Sequence, residues 1–233
     1  MPSGDRVSAS RHAYVRLFLA ASTAAAVILV AACVSTDSPP RPRGLTPIFD
    51  GATLNGWTPR GGKASYTVEE NCIVGRTAPN QPNSFLCTTR DYRDFELELY
   101  FKVDPALNSG IQVRSQSLPE YKNGVVHGYQ IEIDPSSRAW TGGLYDESRR
   151  GWLVDLADKP DARAAFMQGQ WNHLRIIVRG DTFNTWLNGV PVVQNFHDSM
   201  TPEGFIALQV HGVGDRKEPL EIRWKNIRLR ELD

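Results

Sequence analysis

Polar and ionisable side chains recur on one face of three strand-like segments. They are Gln112 and Arg114 in segment 111–114, Gln130, Glu132 and Asp134 in segment 129–134, and Gln209 and His211 in segment 205–211. Because successive strand residues point to opposite faces, a sheet that pairs these segments collects all of them on one surface. Such a set can transfer protons and orient hydroxyl groups. We therefore expect Glu132, His211 and Arg114 to be catalytic and the others to bind substrate.

The segment that follows the carboxylate strand adds aromatic and charged groups. Tyr145, Asp146, Arg150 and Trp152 are expected to contact substrate. Aromatic rings stack on the apolar faces of sugar rings, and arginine bonds hydroxyl or carbonyl oxygens. His127, just before the strand, is a further binding candidate, with a solvated loop histidine as the alternative. Polar residues on the outer face of a strand are also often simply solvated, so a purely structural interpretation stays open.

Period-2 alternation places these residues on β-strands. Residues 95–103 put five apolar side chains on one face and mostly charged ones on the other. Similar runs continue along the chain, and Asn188-Gly189 between two of them is a hairpin turn signal. Short strands joined by turns, without alternating helices, predict an all-β antiparallel sandwich that forms one domain over residues 45–233.

The N-terminal segment is typical of an export signal. Arg11 and Arg16 precede an uncharged apolar run over residues 17–32, which is short for a membrane-spanning helix. Small residues directly before Cys33 resemble the lipobox of bacterial lipoproteins. This predicts a signal peptide over residues 1–32, a lipid on Cys33 and a flexible tether over residues 33–44.

The same resemblance predicts where the protein is located. Val34 stands after the cysteine instead of an aspartate, which in a Gram-negative host favours the outer membrane. We expect a lipid-anchored protein of the bacterial cell envelope, facing the periplasm or the cell surface, that contacts the membrane only through this lipid. An uncleaved anchor and a plain secretory signal are the alternatives.

Charge and composition exclude some classes of function. The 233 residues include 26 basic and 26 acidic side chains, and 41% are hydrophobic. Nucleic acid is not an expected partner, because there is no basic surplus to neutralise phosphates. After residue 32 the chain holds 23 basic and 25 acidic residues, so the predicted domain is mildly acidic.

Two cysteines remain in the predicted domain, Cys72 and Cys87, within consecutive strand-like segments. Export to an oxidising compartment would permit a disulfide between them. Two buried free thiols are equally compatible with the sequence.

A series of short motifs runs in order through the domain. The motifs are Phe49-Asp-Gly with Leu54-Asn-Gly-Trp57, Asn108-Ser-Gly-Ile with Arg114, Gly128-Tyr-Gln-Ile-Glu-Ile-Asp134, Thr141-Gly-Gly-Leu-Tyr145, Trp171-Asn172, Leu187-Asn-Gly189, Gly204-Phe-Ile-Ala-Leu-Gln-Val-His211 and Asn226-Ile227. Over residues 45–232 this series resembles the 3-keto-disaccharide hydrolase domain family. The resemblance implies a concanavalin A-like jelly roll of two antiparallel sheets. It also implies a saccharide ligand and cleavage of glycosides oxidised to a ketone at C3.

A ketone at C3 acidifies the proton on C2, so a base can remove that proton and expel the C1 substituent, after which water adds. Glu132 or His211 is the candidate base, and Arg114 or a bound divalent cation such as calcium would stabilise the enolate. Glu132 and Asp134 are the candidate ligands of that cation.

Two functions of other classes share parts of this pattern. A two-carboxylate glycosidase of the laminarinase type needs a second glutamate after Glu132-Ile-Asp134, and the sequence continues with Pro135-Ser-Ser-Arg138 instead. A non-catalytic sugar-binding lectin needs only the groove and its aromatic residues, and it stays the alternative.

Overall fold

Alternating apolar residues build two sheets in the part of the chain that the computed structural model describes, residues 44–233. The predicted signal peptide and the predicted lipidation site, Cys33, lie outside these residues. The strands are β1 (Thr46–Pro47), β2 (Trp57–Gly61), β3 (Ser65–Glu69), β4 (Cys72–Arg76), β5 (Ser84–Tyr92), β6 (Phe95–Val103), β7 (Ser109–Gln116), β8 (His127–Ile133), β9 (Leu144–Glu147), β10 (Gly151–Val154), β11 (Asn172–Arg179), β12 (Thr182–Leu187), β13 (Val190–Pro191), β14 (Phe196–His197), β15 (Gly204–Val210) and β16 (Glu221–Glu231), with one helix, α1 (Pro160–Ala164). Within residues 44–233 no helix has the length and apolar character needed to cross a bilayer.

The strands pair into a nine-stranded and a seven-stranded sheet. The first has the order β13-β12-β11-β6-β16-β4-β3, with β1 on β16 and β14 on β12, and the second has the order β10-β9-β8-β7-β15-β5-β2. Neighbours in both sheets run antiparallel. The predicted all-β sandwich of two antiparallel sheets is confirmed.

The core lies between the two sheets and is apolar. Leu97, Leu99 and Phe101 of β6 face Ile131 and Leu208 of the other sheet within one cluster of fully buried side chains. Burying a side chain of this size contributes about 1.5–3 kcal/mol. Because the apolar side chains of each alternating strand point into this core, the residues between them must point to the outer face of their sheet.

Two turns follow from residues that tolerate a positive φ. Asn188 and Gly189 have φ of 50° and 84° and close the predicted hairpin between β12 and β13. Glu70 and Asn71, with φ of 51° and 60°, divide segment 65–76 into the hairpin of β3 and β4.

The prediction that Arg114 shares a face with Gln112 is wrong because β7 bulges. The pairing of β7 with β8 shifts register after Val113, and Arg114 has a φ of 46°. One inserted residue reverses the direction of the next side chain. The guanidinium of Arg114 is buried, where it bonds the carbonyls of Arg93 and Gly180 and pairs with Asp94.

The two cysteines lie on opposite sides of the sandwich and are free. Cys72 starts β4 of the nine-stranded sheet, and its neighbour Ile73 points into the core. Cys87 belongs to β5 of the seven-stranded sheet and packs in a separate apolar cluster with Phe85 and Phe205. Packed sheets lie about 10 Å apart, whereas a disulfide needs Cα atoms within about 7 Å, so the two thiols are not placed to bond each other.

Both thiols are expected to stay reduced in an oxidising medium, because each is buried. After incubation of residues 44–233 in oxidised glutathione, a thiol reagent should find no reactive cysteine in the folded protein. It should find two per chain after unfolding without reductant, and the melting temperature should not change with dithiothreitol. Fewer than two thiols after unfolding would contradict this arrangement.

Candidate functional site

A polar groove of about 250 Å³ lies on the face of the seven-stranded sheet that points away from the core, called here the outer face. It is lined by Asn83, Asn108, Gln130, Glu132, Arg138, Tyr145, Glu147, Trp152 and His211. A groove of this size with ionisable side chains is a candidate binding or active site.

Glu132 is the most buried ionisable group that lines the groove, with 4% of its surface exposed. The Asn108 Nδ2 donates to Glu132 Oε1 at 2.6 Å, and the Gln130 Nε2 donates to Oε2 at 2.9 Å. Burial raises the pKa of Glu132 to about 7. The hydrogen bonds from the two amides act in the opposite direction but do not outweigh burial. Near neutral pH this carboxyl can therefore both accept and return a proton.

A row of hydrogen bonds leads to Glu132 from the sheet. The Ser115 hydroxyl donates to Gln112 Oε1 at 2.7 Å, and the Gln112 Nε2 donates to Gln130 Oε1 at 2.6 Å. Gly110 makes the row possible, because a Cβ at this position would lie 2.4 Å from the Gln130 Cδ. The row fixes the position of the Glu132 carboxyl through side chains that are themselves fixed.

Arg138 brings a positive charge and two tryptophans to the groove. Its Nε bonds Asp134 Oδ2 at 2.7 Å, and its guanidinium lies 4.6 Å from the ring centroid of Trp140 and 5.2 Å from that of Trp152. Trp152 also packs edge-on against Tyr145. The stack holds Arg138 in place while its edge faces the groove.

Asp134 supports this stack and does not itself line the groove. Burial acts to raise its pKa, but hydrogen bonds from Ser136, Arg138 and the Trp140 N–H outweigh burial and hold the pKa below its ordinary value. Asp134 is therefore a fixed anion that orients Arg138.

A second carboxyl, Glu147, contributes to the opposite wall of the groove. Its Oε1 accepts from Asn83 Nδ2 at 3.3 Å, and its Oε2 accepts from Gln209 Nε2 at 3.4 Å. Burial raises the pKa of Glu147. The hydrogen bond from Asn83 and the nearby His211 act to lower this pKa but do not outweigh burial. This wall therefore offers a carboxyl that is only loosely bonded.

The structure brings together most of the side chains predicted from the sequence. Gln130, Glu132, Tyr145, Trp152 and His211 line the groove. Gln112 and Gln209 are buried behind the lining, where they contact Gln130 and Glu147.

Sequence reasoning missed other residues of the groove, namely Asn83, Asn108, Arg138 and Glu147. Glu147 was detectable, since it follows Tyr145 by two residues on one strand and so shares its face. The two asparagines lie outside the strands, and no periodicity points to them.

Four predicted residues lie elsewhere. Arg114 lies inside the sandwich, as described above. Asp146 points to the face opposite Tyr145 and pairs with Arg149 and Arg150, and Arg150 also pairs with Asp198. The His127 ring stacks on Tyr121 with centroids 4.0 Å apart and bonds the Val125 carbonyl.

The candidate cation ligands do not form a metal site. Both oxygens of Asp134 accept hydrogen bonds from the segment over residues 136–140, and both oxygens of Glu132 accept from amides. Among residues 44–233 there is no group of three histidine, cysteine or carboxylate side chains able to hold a metal ion. The residues present do not fit a divalent cation, and no reaction step is assigned to one.

Comparison with known proteins adds to the geometry. The sequence profile of the 3-keto-alpha-glucoside-1,2-lyase-like domain matches residues 44–230. A 3-keto-disaccharide hydrolase from Bacteroides thetaiotaomicron is 33% identical, over 82% of this chain and 79% of its own length.

Two solved structures share the fold. A candidate glycosyl hydrolase from Parabacteroides distasonis gives a TM-score of 0.56 at 19% identity, over 82% of this chain and 94% of its own. A Bacillus subtilis protein with a galectin-like fold also gives a TM-score of 0.56, at 11% identity, over 76% of this chain and 90% of its own. The predicted concanavalin A-like class is confirmed.

The raised pKa of Glu132 has a consequence for stability. A carboxyl whose pKa rises from 4.5 to about 7 on folding stabilises the protonated fold, and this contribution is lost as the pH rises through 7. Between pH 5 and pH 8 the unfolding free energy should fall by roughly 2–3 kcal/mol more in the natural protein than in Glu132→Gln. Urea unfolding at both pH values measures the difference, with exposed Glu203→Gln as the charge control. Parallel curves for the natural protein and Glu132→Gln would contradict the assignment.

Proposed function

The chain belongs to the 3-keto-alpha-glucoside-1,2-lyase-like domain family, and from that premise we propose that it is an enzyme cleaving glycosides whose sugar carries a ketone at C3. The observation that carries the proposal is Glu132, a buried carboxyl with a pKa of about 7 in a polar groove. Removal of a proton next to a ketone needs a base that is half ionised near neutral pH, and Glu132 meets that need.

In the proposed reaction, the Glu132 carboxylate takes the proton from C2 of the 3-keto sugar. The resulting enolate re-forms the ketone, a double bond forms between C1 and C2, and the C1–O bond to the departing group breaks. Water then adds across the double bond, with its hydroxyl on C1 and a proton on C2, so that the sum is hydrolysis. Proton transfer of this kind typically contributes a factor of about 10² to 10⁴.

The enolate needs a positive charge, and Arg138 takes the place that the sequence assigned to Arg114. Arg138 lines the groove, and its orientation is fixed by Asp134 and the two tryptophans. A guanidinium held in position stabilises the developing charge without first reorganising. Trp152 and Tyr145 offer aromatic surface to the sugar ring beside it.

The direct test compares a 3-keto-glucoside with its unoxidised parent. The protein should cleave the 3-keto-glucoside and leave the parent glucoside intact, because the parent lacks the acidified C2 proton. Glu132→Gln should lower kcat/KM by at least about 100-fold, and for the unaltered protein kcat/KM should rise with pH through about 7.

Controls separate the alternatives in this test. Glu203→Gln, an exposed substitution, should keep full activity. Full turnover by Glu132→Gln would refute the base assignment. Saturable binding of sugar without cleavage of either compound would identify a lectin. Loss of cleavage in EDTA would return a cation to the mechanism.

We also propose that the protein is an exported lipoprotein anchored through Cys33. The support is the basic segment, the apolar run and the small residues before this cysteine. In a Gram-negative host, the full chain should incorporate labelled fatty acid and sediment with membranes, whereas Cys33→Ala should incorporate none. Equal labelling of both chains would rule out the anchor at this position.

A further inference from the structure

The proposed chemistry at Glu132 leaves the opposite wall of the groove without a role. Cleavage of the C1–O bond leaves negative charge on the departing oxygen, which an alcohol cannot carry without receiving a proton. A proton donor is therefore needed near the departing oxygen. The residues of that wall are Asn83, Glu147 and His211.

Strand register places this wall directly across from Glu132. Gln209 of β15, Gly110 of β7 and Glu132 of β8 lie side by side on three neighbouring strands. Two strand spacings put the Cα atoms of Glu132 and Gln209 about 10 Å apart. Because Gly110 has no side chain, the Gln130 side chain lies over it, beside Glu132 on the floor of the groove.

The Glu147 side chain reaches this space from β9. It leaves the strand opposite Gly128, and its carboxyl extends over the outer face to Gln209 and Asn83. Two carboxyls therefore line the same groove, Glu132 beside Gln130 and Glu147 beside Gln209. A bond lying between them has one carboxyl on each side.

The hydrogen bonds of the two carboxyls differ in strength. Glu132 accepts at 2.6 and 2.9 Å, whereas Glu147 accepts at 3.3 Å from Asn83, at 3.3 Å from the Ser148 hydroxyl and at 3.4 Å from Gln209. The Gln209 Oε1 is buried and has no hydrogen-bond partner. Long bonds around Glu147 leave its proton free to move.

We propose that Glu147 is the acid that protonates the departing glycosidic oxygen, so that the ketone-bearing ring lies at Glu132 and the departing group at Glu147. This inference rests on the proposed function. The electron pair of the breaking C1–O bond takes the Glu147 proton, which leaves a carboxylate. When water adds, Glu147 regains a proton from it and Glu132 returns its proton to C2, so both carboxyls are restored.

Two neighbours fit the role less well. Burial and the charges of Glu147 and Glu132 raise the pKa of Tyr145, which makes its hydroxyl a poorer acid. His211 is exposed at the groove edge and its Nδ1 contacts the Gly212 carbonyl at 2.8 Å. Both remain in the test as variants.

The experiment uses two 3-keto-glucosides. One releases 4-nitrophenol, and the other releases a second sugar, whose departing oxygen is that of an ordinary alcohol. An acidic phenol departs without help, whereas an alcohol needs a proton. With the full chain in detergent, Glu147→Gln should lower kcat/KM for the alcohol by at least about 100-fold and for the phenol by less than about 10-fold. Glu132→Gln should lower both equally, since both substrates lose the same C2 proton.

The outcomes distinguish the two proposals. Equal losses on both substrates for Glu147→Gln, or no loss on either, would overturn its acid role while cleavage by the unaltered chain upholds the proposed function. A selective loss on the alcohol in Tyr145→Phe or His211→Asn, and not in Glu147→Gln, would also overturn it. Cleavage of neither substrate by the unaltered chain would overturn both. Glu203→Gln and circular dichroism of each variant control for folding.

Discussion

A carboxyl that is buried yet bonded only to amides is the interaction on which this groove depends. Glu132 gains two strong hydrogen bonds from Asn108 and Gln130, and burial still moves its pKa to about 7. An arginine bonded directly to it would keep it ionised, whereas an apolar pocket alone would keep it neutral. The amides place it between these limits, where a proton can leave and return.

The rest of the sandwich lowers the free-energy cost of burying this carboxyl. Buried polar groups cost free energy unless each has a partner, and the row from Ser115 through Gln112 and Gln130 supplies partners without exposing the site to water. The apolar face of the same strands is packed into the core, so the row cannot turn inward. The outer face of this sheet can therefore hold a row of polar side chains, because its other face supplies the apolar core.

Period-2 alternation made the sandwich, Glu132 and Gln130 predictable, because it depends only on neighbours in the sequence. It failed at Arg114, where a single residue with positive φ reverses the side chain and no local pattern announces the bulge. Asp146 was wrongly expected in the groove, and Glu147 was missed, both for a different reason. The sequence prediction placed no strand in their segment, although alternation from Tyr145 assigns Asp146 to one face and Glu147 to the other. The asparagines come together only through tertiary contacts.

The row of amides also has a direction. Each member from Ser115 to Gln130 donates toward Glu132, so their dipoles add, and reversing one would require reversing all. The negative charge that appears when Glu132 loses its proton therefore meets donors that are already aligned. Little rotation of side chains accompanies the change of charge, and the reorganisation energy of proton transfer at this carboxyl is small because the sheet has fixed the dipoles in advance.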